Sequence, residues 1–193
     1  KRGFADADAM NRYMIEHWNS RVRKHDDVIV LGDFSVGRGT QTNEILEQLT
    51  GYKYLVTGNH DKFLDDRSFD RSLFRWVEPY MELKDNKRKV VLSHYPIFCY
   101  NGQYRRDGEG NPKTYMLYGH VHDTFDELLV NRFQEETRAC KRQLKEDGEL
   151  VRIPCSMINC FCMFSNYTPL TLDEWINVDR ERRAAMNGSG HNG

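Results

Sequence analysis

Apolar side chains recur every three or four positions early in the chain, at Met10, Tyr13, Met14, His17, Trp18 and Val22. That period predicts an amphipathic helix capped by Asp6 or Asp8. After a turn at Asp26 and Asp27 the pattern changes to a short continuous apolar run over residues 28–31, which predicts a strand covered on both faces. A second helix is expected over 44–49. A strand over 52–56 follows, ending in Thr57-Gly58-Asn59-His60-Asp61. Two further apolar strands are expected within 89–96 (KVVLSHYP) and 115–122 (YMLYGHVH), each running into histidine. Thr124 and Glu127 have capping-box spacing ahead of a helix whose apolar stripe reads Phe125, Leu129, Phe133, Cys140 and Leu144. A late strand is expected over 155–164, then a closing helix capped by Thr171 and Glu174, then a frayed tail from Asn187 to Gly193. Strands alternating with helices predict an α/β fold. No Pro-, Gly- or Ser-rich stretch divides the chain, so one domain is expected over 1–178, with 179–193 as helix end and flexible tail.

Charge narrows the choice of partners. The 28 Lys and Arg against 29 Asp and Glu leave a formal charge of −1, without the basic excess that a nucleic-acid-binding face needs. The clusters RVRK (21–24) and RERR (180–183) read as solvated helix faces. Five cysteines, an odd number without CxxC spacing, predict buried thiols in a reducing, cytoplasmic setting, not a disulfide framework or a zinc site. No apolar run approaches the roughly 20 residues of a membrane span, so no membrane partner is expected.

The polar residues at the strand ends carry the candidate chemistry. Asp33, Asn59, His60, His94, His120 and His122 all stand at or just past the carboxyl ends of predicted strands, where ligands gather in open α/β sheets. A carboxylate, an amide oxygen and imidazoles, with no thiolate, suit a borderline divalent ion such as manganese, iron or zinc. A carboxylate has two oxygens, so Asp33 can bridge two ions about 3.5 to 4 Å apart, the spacing that clamps a phosphoryl group. Its burial at a strand tip is tolerable only with cations beside it.

In order and spacing, Gly32-Asp33, Gly58-Asn59-His60-Asp61, Ser93-His94 and Gly119-His120-Val121-His122 resemble the motifs of the calcineurin-like metallophosphoesterases. SHYPIFCYN and NYTPLTLDEW are similar to segments of a compact microbial branch of that family. The resemblance implies a four-layer αββα sandwich of the metallophosphoesterase type. It implies a dinuclear metal centre in which Asp33 bridges, Asn59, His94 and His120 bind the second ion, and His122 helps hold the first. Mn2+ is the first choice, with Fe or Zn2+ as alternatives. His60 is then not a ligand but the group that protonates or stabilises the leaving oxygen. Asp61 either orients His60 or only stabilises its turn. The implied activity is hydrolysis of a phosphomonoester or phosphodiester bond in a small phosphorylated substrate by metal-activated water.

The family's Asp-x-His motif, at the end of its first strand, occurs nowhere in this sequence. The resemblance therefore implies a sandwich without that strand, and a centre with one ion held well and turnover reduced. The alternative is an impaired metal- or phosphate-binding module that keeps the fold. Arg105, Arg106 and Arg38 read as loop residues, with phosphate contact as the second choice for the first two. His17 and His25 read as structural or exposed. The aromatic and methionine side chains around 157–167 read as packing, and Asn159 and Tyr167 have no assigned role. Oligomeric state and substrate identity are left open.

Overall fold

The computed structural model describes residues 3–143, 146 and 148–189. Asp6 caps the first helix, α1 (Ala7–Arg21), with its side chain accepting from the Ala9 amide at 2.7 Å. There follow β1 (Asp27–Val30), α2 (Gly39–Gln48), β2 (Tyr52–Val56), β3 (Val77–Glu78), β4 (Tyr80–Asp85), β5 (Arg88–Ser93) and β6 (Thr114–Tyr118). The rest of the chain forms α3 (Phe125–Ala139), β7 (Lys141–Gln143), β8 (Leu150–Arg152), β9 (Met157–Asn159) and α4 (Leu172–Ser189).

Strands β1-β2-β3 form one parallel sheet. A second sheet has the order β4-β5-β6-β9, antiparallel only between β4 and β5. Side chains alternate across each strand, and this sorts the core into three slabs. Val30 and Leu55 face α1 and α2, with Ile15, Trp18, Leu46 and Leu49. Their neighbours Ile29 and Val56 turn the other way, against Val90, Leu92, Leu117 and Ile158 of the second sheet. Val91, Met116 and Met157 point outward again, toward Val130 and Phe133 of α3. The layers are thus helix, sheet, sheet, helix, an α/β sandwich of the metallophosphoesterase type. The closing helix differs from the other three, because Trp175 of α4 enters the slab between the sheets.

Several elements depart from the sequence-based expectations. The second helix starts at Gly39, five residues before the expected 44, and the 89–96 and 115–122 strands stop at Ser93 and Tyr118. The histidines therefore lie on loops past the strands, free to turn toward a common point. The late strand shrinks from 155–164 to Met157–Asn159. The last helix continues to Ser189, through the start of the expected tail, while 190–193 lie outside the described residues. The α3 stripe is also reassigned. Phe125 and Leu129 are 64% and 43% exposed, and Cys140 lies past the helix end. Leu144 lies outside the described residues.

The inner face of α3 presents Glu127, Val130, Asn131 and Gln134. Those polar groups serve the sheet edge: Gln134 Oε1 accepts from the Met157 amide at 2.8 Å, and Arg183 donates to the Met157 carbonyl at 3.2 Å. Both outer backbone groups of β9's first residue are thereby satisfied by side chains, as a buried edge requires. None of the five cysteines is in a disulfide, and Cys99 and Cys140 are exposed where buried thiols were expected. Among the described residues no helix is long and apolar enough to cross a membrane.

Candidate metal centre

The loops after β1, β2, β5 and β6 meet beyond the carboxyl ends of the two sheets. Glycine permits the approach. A Cβ on Gly32, whose φ is +82°, would stand 2.4 Å from His94 Nδ1, and one on Gly58 would stand 2.4 Å from Asp33 Oδ1. Only a residue without a side chain lets the two loop backbones pass so closely.

Asp61 then joins the loops. Its carboxylate accepts from the amides of Asp33 (3.0 Å), Phe34 (2.7 Å) and Gly58 (2.8 Å). Of the two roles open to Asp61, these bonds support the turn-stabilising one, since all three go to backbone. Burial holds its carboxyl above the usual carboxylate range; the three N–H donors pull the other way, and the nearby Asp33 charge adds to the rise.

The residues carried by these loops converge in part. Asp33, His94 and His120 each offer a ligand atom, and these atoms lie within 4.8 Å of one another. His94 is 2% exposed, with Nδ1 2.8 Å from the Leu31 carbonyl. A carbonyl can only accept, so Nδ1 carries the proton and Nε2 presents its lone pair to the centre. Facing that lone pair are Asn59 Oδ1 at 3.1 Å, His120 Nδ1 at 3.2 Å and Asp33 Oδ2 at 3.5 Å. With the amide oxygen of Asn59 beside them, the cluster gathers oxygen and imidazole nitrogen atoms able to ligate a cation. Oxygen and imidazole nitrogen without thiolate is a donor set for a borderline divalent ion, so the residues present fit the metal that the motifs imply.

Burial, with the His94 imidazole adding to it, holds the His120 pKa below that of an ordinary histidine, keeping its lone pair available. The sign of the pH effect follows. The folded state excludes a proton that the unfolded chain takes up near pH 6.5, so this contribution to stability is present above that pH and lost as pH falls. The melting temperature of metal-free protein is therefore expected to fall between pH 7 and pH 5, and His120→Gln to flatten the slope. Melting curves that fall equally steeply in both proteins would refute this.

His60 and His122 stand outside the converging trio. His60 is exposed, and its amide donates to Asp33 Oδ1 at 2.9 Å, which fixes its backbone beside the carboxylate. His122 is exposed and stacks on Phe161, ring centroids 4.6 Å apart. Asp33, His120 and His122 all adopt left-handed φ, of 53°, 59° and 50°.

A sequence model of the calcineurin-like phosphoesterase superfamily domain matches residues 7–138, more than half of the chain. The chain belongs to the calcineurin-like phosphoesterase superfamily. An uncharacterized protein of Methanocaldococcus jannaschii, MJ1445, is 31% identical over 123 residues, 63% of this chain and 58% of that protein. The chain thus spans a little over half the length of this curated relative. The crystal structure of a protein of unknown function from Aquifex aeolicus, AQ665, is similar in fold, with a TM-score of 0.59 at 18% identity, over 90% of this chain and 87% of that one.

Three further features surround the centre, and none of them has a role there in the reading from sequence. Tyr95 packs its ring 4.5 Å from that of His120 and 5.0 Å from that of His94. Phe161 covers His122 from the other end of the chain. Asn159, which had no assigned role, donates to the His122 carbonyl at 2.7 Å. The tyrosine's place next to His94 in SHYP was a usable signal; the other two lie far from any motif. Arg105 and Arg106 are exposed loop residues, and His17 and His25 are held by Thr168 and Tyr52 on the surface of the helical side.

Proposed function

We propose that this chain is the catalytic domain of a metal-dependent phosphoesterase, which hydrolyses a phosphomonoester or phosphodiester bond in a small phosphorylated substrate with Mn2+ as the preferred ion. One observation carries the reading: ligand atoms of Asp33, His94 and His120 lie within 4.8 Å of one another and Asn59 Oδ1 lies 3.1 Å from His94 Nε2, the four residues coming from four separate loops. Those four residues would hold the cation, with His122 as the further ligand that the motif implies. A divalent ion there supplies Lewis acidity toward water and toward the phosphoryl oxygens.

The chain's own residues do the rest. Gly32 and Gly58 keep the Asp33 carboxylate close to His94. The Leu31 carbonyl holds His94 in the tautomer that presents Nε2. His60, tied by its amide to Asp33 and open to solvent, would give a proton to the leaving oxygen. Tyr95 packs its ring against those of His94 and His120 and would steady both.

A second reading, a metal- or phosphate-binding module with weak turnover, is favoured by a separate fact: among the described residues the acidic and imidazole groups form one such cluster, without His122. Hydrolysis of bis(p-nitrophenyl) phosphate and p-nitrophenyl phosphate with added Mn2+ separates the two. The enzyme reading expects Mn2+-dependent turnover that falls about 100-fold or more in His60→Ala, the low end for a general acid, with Mn2+ affinity unchanged. Tight Mn2+ binding without turnover would favour the module, and absence of both would sink each reading.

A further inference from the structure

Asn159 ends β9 and is 1% exposed. Its side chain is fully engaged: Oδ1 accepts from the Phe161 amide at 3.1 Å, and Nδ2 donates both to the His122 carbonyl and to the Glu127 carboxylate. Glu127, 2% exposed on the inner face of α3, is paired at 3.1 Å with Arg182 of α4. The Arg182 guanidinium lies over the Phe164 ring, Phe164 meets Phe161 edge-on at 5.3 Å, and Phe161 stacks on the His122 imidazole at an interplanar angle of 25°. The contacts close into a circuit that starts at the His122 ring and returns to the His122 carbonyl.

That circuit restrains a residue with much to restrain. His122 sits at φ +50°, where a non-glycine residue persists only if its surroundings hold it. Its backbone is held through the carbonyl and its imidazole through the stack. Asparagine suits the junction because its NH2 group supplies two donors and its oxygen one acceptor, whereas aspartate has no N–H to give to either the carbonyl or the Glu127 carboxylate.

We infer that Asn159 is a positioning residue for His122, tying the orientation of that imidazole to the C-terminal helix through Glu127 and Arg182. The inference rests on the reading above, in which His122 contributes to the metal centre. Partners one step removed from the ligands typically change metal affinity 10- to 100-fold when lost.

Mn2+ titration calorimetry on the full 193-residue chain, read beside melting temperature, tests it in a double-mutant cycle. His122→Ala and Asn159→Ala are each expected to weaken Mn2+ binding by about 10-fold or more, and the double variant to be no weaker than His122→Ala alone, because both act through one ligand. If His122→Ala leaves affinity unchanged, His122 is not a ligand and the reading and the inference fall together. If His122→Ala weakens binding while Asn159→Ala lowers only the melting temperature, or if the two losses add, the positioning role alone is overturned. Should Asn159→Ala not fold, Arg182→Met keeps most of the stem packing and opens the circuit at its far end. It is expected to weaken Mn2+ binding roughly 3- to 10-fold, again with no further effect in the His122→Ala background. Unchanged affinity in Arg182→Met would then refute the coupling.

Discussion

Asp33→Asn is expected to weaken Mn2+ binding by more than about 100-fold while leaving the metal-free protein as stable as before. The loss exceeds that for an outer partner because a charged ligand is removed from the centre itself. Stability is spared for two reasons. An asparagine oxygen can still accept from the His60 amide, the bond that Asp33 Oδ1 makes at 2.9 Å. Removing the charge also relieves the buried Asp61 carboxyl, which feels Asp33 as a repulsive neighbour. Calorimetric titration with Mn2+ and thermal melts by circular dichroism give both halves of the result. Retained affinity would sink the assignment of Asp33 to the centre. A large drop in melting temperature would show that the carboxylate is there for folding.

Asp61→Ala should do the reverse, striking the scaffold first. Three backbone amides, of Asp33, Phe34 and Gly58, lose their acceptor together. A donor left without a partner inside a protein costs about 1 to 3 kcal/mol, so a loss of about 3 to 9 kcal/mol is expected for the three. For a chain of this size that lowers the melting temperature by about 10 °C or more. Asp61→Asn keeps one oxygen acceptor and should lose roughly half as much. Because the same bonds set the spacing of the Asp33 and Gly58 loops, Mn2+ affinity falls with stability in both variants. A melting temperature within about 3 °C of the parent for Asp61→Ala would show that the loops are held by other means.

The reading from sequence reached as far as the chain's local signals were strong. The apolar run at 28–31 and the strand at 52–56 were legible because a strand covered on both faces has few polar positions, and Asp6 and Thr124 announced their helices through the capping bonds they make. Strand β4 was not legible. Its turn, Asn86-Lys87, adopts φ of 44° and 66° without the Asn-Gly pair that usually marks such a hairpin. The face of α3 was misjudged because periodicity scores only apolar residues, while burial there follows the hydrogen-bonding needs of β9, which Gln134 and Glu127 answer. At the centre, residue types and spacing pointed to the loops of Asp33, Asn59, His94 and His120. The resemblance already set His60 apart as a non-ligand, but spacing alone did not separate His122 from the residues that converge, because which loop side chains meet depends on the close approach of the loops that Gly32 and Gly58 permit.

Three residues of the strand-end motifs, Asp33, His120 and His122, hold backbone angles that glycine would adopt freely and they do not. Each such angle carries strain of order 1 to 3 kcal/mol. A designer seeking a sturdier protein would be drawn to put glycine at those very places, and a screen for heat resistance alone would drift the same way. The hardiest descendants of this chain would be those that had given up these three side chains.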